Sequence, residues 1–110
     1  SIGLGCELFR QLMTHRPEVD GIFLGNDDLA QGALFEARRM NIRVPEDVAI
    51  VGFNDLAGSA DCVPRLTTVR TPRAEMGRTA AELLLSIMRG EAVGAPMIDL
   101  GFELVVRESA

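Results

Sequence analysis

The sequence predicts an α/β fold in three layers, with a mostly parallel sheet between helices. Two short apolar runs, Gly21-Ile22-Phe23-Leu24-Gly25 and Val48-Ala49-Ile50-Val51-Gly52-Phe53, lack polar alternation and are too brief for helices, as expected of strands covered on both faces. Stripes of apolar residues at helical spacing come before, between and after them. Two such strands joined by one helix form a right-handed βαβ unit with parallel strands.

The elements follow in order. Leu4, Leu8 and Leu12 with Phe9 and Met13 make the first helical stripe, which ends near Arg16-Pro17 because proline disfavours helical geometry in the residue before it. After the first strand the helical pattern resumes from Leu29 through Ala30, Ala33, Leu34, Ala37 and Met40, and the stretch from Asn41 to Asp47 breaks it. Asn54 to Pro64 has no period, and Gly58, Ser59 and Asp61 mark it as a loop. Leu66-Thr67-Thr68-Val69 is β-branched enough for a third strand. Thr71-Pro72 offers a cap with proline at the first helical position, and Met76, Ala80, Leu83, Leu84, Ile87 and Met88 line a helix ending at Gly90. Glu75, Arg78 and Glu82 are spaced for ion pairs on its other face. After the loop Gly94-Ala95-Pro96, a last strand fits Phe102 to Val106.

Composition narrows the function classes. With 110 residues, 47% of them apolar, the chain can bury one core but not two independent ones. A formal net charge of -5, with no run of Lys or Arg, repels phosphate and argues against direct DNA or RNA binding by this chain. Cys6 and Cys62 sit far apart in no CxxC pattern, and His15 is the one histidine, so neither a zinc site nor a redox pair is indicated. Reduced thiols in a cytosolic protein are the plain expectation. No apolar stretch reaches the length of a membrane span, and the opening Ser1-Ile2-Gly3 reads as the middle of a longer chain.

Ligands of open parallel sheets bind at the carboxyl ends of strands. Two of these ends carry polar clusters, Asn26-Asp27-Asp28 and Asn54-Asp55, and consecutive parallel strands bring them to the same edge. Asn supplies donors and an acceptor while Asp supplies acceptors, a combination suited to neutral polyhydroxylated compounds. The competing reading is structural: Asn26 or Asp27 caps the helix, and Asn54-Asp55 shapes a turn. Both readings remain open for either cluster alone. No nucleophile, base and orienter come together, and no GxSxG, GxxxxGK[ST] or GxGxxG is present. His15, at the end of the first helix, reads as a surface residue favoured by the helix dipole. No cofactor or metal is indicated.

The stretch "GIFLGNDDLAQGALFEARRMNIRVPEDVAIVGFNDL", followed by "PRLTTVRTPRAEMGRTAAELLL" and closing on "ELVVRESA", resembles the C-terminal part of the LacI/GalR family of bacterial transcription regulators. The likeness covers nearly the whole chain, with the motifs in family order. Sugar-binding proteins of the bacterial periplasm are similar through the ND and GF-x-D segments but generally lack the VPEDV and PRLTTVR-x-P combination.

The resemblance implies an incomplete, periplasmic-binding-protein-like (type I) C-terminal lobe. The parent protein would have an N-terminal helix-turn-helix domain, a hinge and a two-lobed core that binds a small-molecule effector, a sugar or sugar acid. Asn26 matches a ligand-contacting residue. Asn54 matches a carboxylate that commonly holds sugar hydroxyls, and the amide here removes one anion and tilts the site slightly toward sugar acids. Asp27 and Asp55 match positions that more often support the cleft than touch ligand. Thr71 falls where some members place a ligand-facing Gln, and its shorter side chain suits a helix cap. Family dimers form partly through positions corresponding to Gln31, Gly32, Phe35, Cys62 and Val63. DNA would be contacted only through the N-terminal domain.

The helix from Arg73 to Arg89 would belong to the N-terminal lobe. It is therefore predicted to pack on a neighbouring chain, to fold back on the remaining sheet, or to be poorly ordered; a well-formed, solvated stripe with no partner would count against this. Three functions follow for comparison: a ligand-sensing lobe of a regulator, a periplasmic solute-binding module, and an enzyme of the α/β class, which the missing catalytic constellation contradicts.

Overall fold

Apolar spacing and local capping set the helices and strands of the computed structural model, which describes residues 1–94 and 97–110. Ala95 and Pro96 of the expected loop lie outside the described residues. Two units separate: Ser1–Arg70 with Glu103–Ala110, and Thr71–Phe102.

In the first unit Ser1 caps α1 (Ile2–His15), its hydroxyl accepting from Leu4 N. Strand β1 (Gly21–Phe23) leads to α2 (Asp27–Arg39), and β2 (Ala49–Phe53), β3 (Thr67–Arg70) and β4 (Glu103–Val105) complete the sheet. The strand order is β1-β2-β3-β4. The first three are parallel, as predicted, and β4 runs antiparallel to β3. Each predicted strand is present, trimmed by one or two residues at an end or shifted by one.

The core explains the apolar spacing of α2. Ala30, Ala33, Leu34 and Ala37 are buried with Phe9 of α1 and with Val48, Ile50 and Leu66 at the sheet. Small residues on α2 let α1 come close. Gly32 is required here, since a Cβ built on it would lie 2.1 Å from the carbonyl oxygen of Ile2. The same junction is tied by charge: Glu36, buried, accepts from Arg10 Nε at 2.7 Å and from Arg39 Nη1 at 3.0 Å. Those two guanidinium hydrogen bonds hold the Glu36 carboxyl below its ordinary range against the opposing effect of desolvation. In the loop before β2, Arg43 grips Asp47, bringing the Asp47 carboxyl down to about 2.

The sheet is not covered on both faces within this unit. Phe23 of β1 and Leu104 of β4 are exposed, so of three predicted layers the first unit holds two, in keeping with an incomplete lobe. Near its amino edge the sheet is plugged by Ser109. Its hydroxyl donates to Ile50 O at 2.6 Å and accepts from Thr67 N at 2.8 Å, and its carbonyl accepts from Ile50 N.

In the second unit, α3 (Arg73–Met88) is formed, but none of its residues is buried. Met76, Leu84, Leu85, Ile87 and Met88 are exposed. The helix is formed, so the expected poor order is corrected, and within the second unit its apolar stripe has no cover. Pro72 sits at the N-cap rather than the first helical position, with no side-chain cap hydrogen bond. The capping role predicted for Thr71 is thus corrected too, because the helix begins one residue later than its side chain requires. Glu75, Arg78 and Glu82 form no ion pair among the described residues.

Two outcomes follow. Gly32→Ala forces α1 and α2 apart and should cost about 1 to 3 kcal/mol, read as a lower urea midpoint; an unchanged midpoint would show that the helices are not held at this spacing. Glu36 and Asp47 have lowered folded-state pKa values, so the stability they contribute is fully present above the unfolded carboxylate range near about 4 and is lost as pH falls below it. Thermal melts should show a lower Tm at pH 3 than at pH 6, and less so for Asp47→Asn.

Candidate functional site

The carboxyl ends of β1 and β2 form one rim. Phe23 pairs with Val51 in parallel register, and Leu24 N continues the pairing to Val51 O at 2.9 Å. Asn26 and Asn54 each lie three residues beyond that register pair, and both are half-buried. The adjacency predicted for the two clusters is therefore present, at one edge and open to solvent. Phe53, the residue before Asn54, meets Phe23 edge to face with ring centroids 6.3 Å apart.

Asn26 is the N-cap of α2: its Oδ1 accepts from Leu29 N at 2.9 Å. The cap uses the carbonyl end, so the part Asn26 can offer a ligand is its amide N–H pair. Asp28, in the first turn, is exposed.

Asp27 takes the supporting place that its matched position more often has, and not the ligand contact that its polar cluster also offered. It is fully buried, and its carboxylate accepts from Leu56 N at 2.6 Å, from the Ser59 hydroxyl at 2.8 Å and from the Thr68 hydroxyl at 2.6 Å. That sealed position corrects the expected ligand contact: Asp27 fastens the rim from beneath. Gly52 belongs to the same arrangement, because a Cβ there would stand 2.2 Å from Asp27 Oδ1.

Asn54 and Asp55 both have positive φ, 99° and 49°, values that non-glycine residues adopt rarely, with Asn and Asp enriched among them. Asn54 N donates to Val69 O at 2.7 Å. The Asp55 carboxylate accepts from Arg107 Nη2 on one oxygen and Arg70 Nε on the other, both at 2.8 Å. Burial alone would raise the Asp55 pKa, but the hydrogen bonds from Arg107 and then Arg70 outweigh it and hold the carboxyl below its ordinary range. Sequence reasoning missed this pairing. Arg70 and Arg107 stand in LTTVR and LVVRES, motifs remote from each other along the chain. Thr71 is half-buried at the start of the second unit, and its carbonyl accepts from Arg73 N at 2.8 Å.

Of the five residues expected at a subunit interface, Phe35 and Val63 are exposed, Val63 at 90%. Cys62 is half-buried, its thiol donating to the carbonyls of Ser59 and Pro64, and burial pushes its pKa up. Gln31 and Gly32 are interior: the Gln31 amide donates to Ala57 O at 3.3 Å and Gly32 faces α1. For these two the interface call is corrected, since this chain already fills the space around them. A cavity of about 720 Å³ lies at the opposite edge of the sheet, among Ala37, Arg38, Ile42, Val44, Pro64 and Glu108, and not at the rim. Among the described residues no group of His, Cys, Asp or Glu is arranged to hold a metal ion, and no helix is long and apolar enough to cross a membrane.

Comparison with known proteins places this geometry. Residues 2–110 match the model of the periplasmic binding protein-like domain. The chain is 56% identical over 109 residues to the HTH-type transcriptional regulator GntR of Pseudomonas aeruginosa, covering 99% of this chain and 32% of that protein. The crystal structure of transcription regulator GntR from Chromobacterium violaceum superposes with a TM-score of 0.89 at 45% identity, over 99% of this chain and 40% of that one. The transcriptional regulator CelR–cellobiose complex gives 0.92 at 35% identity, over all of this chain and 34% of that one. The chain thus spans about a third of the length of the curated relatives it matches. The α/β core, the rim of paired strand ends and the run of regulator relatives agree with the likeness read from the motifs: the chain belongs to the periplasmic binding protein-like domain family, in the form carried by LacI-family regulators.

Proposed function

We propose that this chain is the effector-sensing portion of a LacI-family transcription regulator and that Asn26 and Asn54 hold a small sugar or sugar acid at the rim. One observation carries the reading: two half-buried asparagines each follow a register pair of neighbouring parallel strands by three residues, at one edge of the sheet. Each hydroxyl contact contributes about 0.5 to 1.5 kcal/mol net, while one left unmade in a closed cleft costs about 1 to 3, so the rim selects more than it attracts. Thr71 is retained as a further ligand contact, and Asp55 as a support for Asn54. Binding shifts an equilibrium between conformations of the longer protein, and that shift alters how its DNA-binding part meets an operator. DNA contact belongs to sequence outside this chain, whose net charge of -5 is unsuited to it.

The parent acts as a homodimer in the cytoplasm, with Phe35, Cys62 and Val63 at the subunit contact. Regulator relatives favour this reading over a periplasmic solute-binding module. They also favour a protein that senses rather than catalyses.

Calorimetric titration of the full-length protein with neutral sugars and aldonic acids tests the site. Asn54→Ala should weaken effector binding about ten-fold, or about 1.4 kcal/mol, with folding intact; unchanged affinity would remove Asn54 from the site. Asn54→Asp separates the ligand classes. A second carboxylate roughly 4 Å from an acid costs about 4 kcal/mol before screening at an effective dielectric near 20, so an acid effector should lose at least about ten-fold while a neutral sugar is spared.

A further inference from the structure

We infer that Asp55 is a positioning residue that links the effector contact at Asn54 to both points where the chain leaves and re-enters the first unit. The inference rests on the effector-sensing reading above. Each oxygen of the carboxylate is held by a different strand segment. Oδ2 accepts from Arg70 Nε at 2.8 Å and Arg70 Nη2 at 2.7 Å, and Oδ1 accepts from Arg107 Nη2 at 2.8 Å.

Arg70 is the last residue of β3 and of the first segment of that unit; the next residue, Thr71, begins the second unit. The chain returns at Glu103, the first residue of β4, and Arg70 Nη1 donates to its carboxylate at 3.1 Å. Glu103 and Arg70 are also register partners across β3 and β4. Arg107, just past β4, is fixed in turn: Nη1 donates to Leu66 O and its backbone N to Thr67 Oγ1, each at 2.8 Å. One carboxylate next to Asn54 therefore fastens the outgoing strand directly and the returning one by two routes.

The physical case is directional. A guanidinium is a rigid planar fork of donors, so it cannot turn toward one partner without moving its bond to the other. The backbone at 54 and 55 holds two successive positive φ values, a conformation that persists where the surroundings over-determine it. The Asp55 clamp supplies that determination and sets where the Asn54 amide points. By reciprocity, an effector that selects one position of Asn54 biases the two strand crossings by the same free energy.

The test uses full-length protein, its own promoter DNA, and cellobiose, neutral hexoses and six-carbon aldonic acids as probes. It reads the ratio of DNA affinities with and without saturating probe, for wild type, Asp55→Asn, Arg70→Met and the double variant. Working at saturation keeps a simple loss of probe affinity from entering the ratio. Each single variant should reduce the ratio at least about five-fold, a typical lower size for such coupling, and the double variant should lose no more than Asp55→Asn alone because both cut one link. Arg43→Met, which breaks an exposed pair elsewhere, should leave the ratio unchanged. Folded single variants with a wild-type ratio, or losses that multiply in the double variant, would overturn the inference while the sensing reading stands. Should Asp55→Asn not fold, Arg70→Met decides alone, since that side chain is largely exposed. A wild type whose DNA affinity responds to none of the probes overturns the sensing reading, and the inference with it.

Discussion

A single buried carboxylate organises the rim. Asp27 has no exposure and accepts three hydrogen bonds, from the Leu56 backbone and the hydroxyls of Ser59 and Thr68. A buried carboxylate stripped of these donors costs several kcal/mol, which is why such groups are found paired or fully hydrogen-bonded. Here the three donors come from the start of the loop after β2, from further along that loop, and from β3. Asp27 itself sits at the first turn of α2. The requirement to satisfy one side chain thus fixes the relative positions of a helix start, a loop and a strand, and the exposed residues beside them inherit that order.

This gives the paired residues at each strand end separate tasks. In Asn26-Asp27 the first side chain caps α2 with its carbonyl oxygen, and the second turns inward to hold the rim. In Asn54-Asp55 the second is again the anchored member, taken by Arg70 and Arg107. Gly52 follows from the same arrangement. Any Cβ at that position would collide with Asp27 Oδ1, so the glycine before Phe53-Asn54 is there for the close approach of the α2 start to β2, not for a turn. The acidic character of the rim is accordingly a poor guide to the ligand, since Asp27 and Asp55 are spent on the protein's own donors.

Much of this was legible in the residues, and what was not has physical reasons. Element type and order followed from period: the Leu4-Leu8-Phe9 stripe, the run from Gly21, the alanines of α2. Parallel pairing then put Asn26 and Asn54 at one edge without any contact being known. Besides the pairing of Asp55 with Arg70 and Arg107, other features escaped. The inward turn of Asp27 depends on Thr68 and Ser59, 41 and 32 residues away in sequence, and local pattern carries no information about such partners. Glu36, at a polar-looking position of α2, is buried because Arg10 and Arg39 neutralise it from α1 and the end of its own helix. Gln31 and Gly32 were carried over by position from a family interface, whereas the close approach of α1 takes up their surroundings. The start of α3 was misplaced by one residue because Pro suits both the N-cap and the first turn.

The apolar surfaces without cover show which part of the structure is self-sufficient. Phe23 and Leu104 on the open sheet face, and Leu84, Ile87 and Met88 on α3, are exposed, and each would gain about 1.5 to 3 kcal/mol from burial. Such surfaces are expected of a chain spanning about a third of the length of its relatives. The rim differs in kind. Asn26, Asp27, Asn54 and Asp55 belong to the first unit, together with Leu29, Leu56, Ser59, Thr68, Arg70 and Arg107, which donate to three of their side chains. These hydrogen bonds within one unit fix Asn26, Asp27 and Asp55 in place. For the effector proposed above, preorganisation of this kind would reduce the ordering cost of binding.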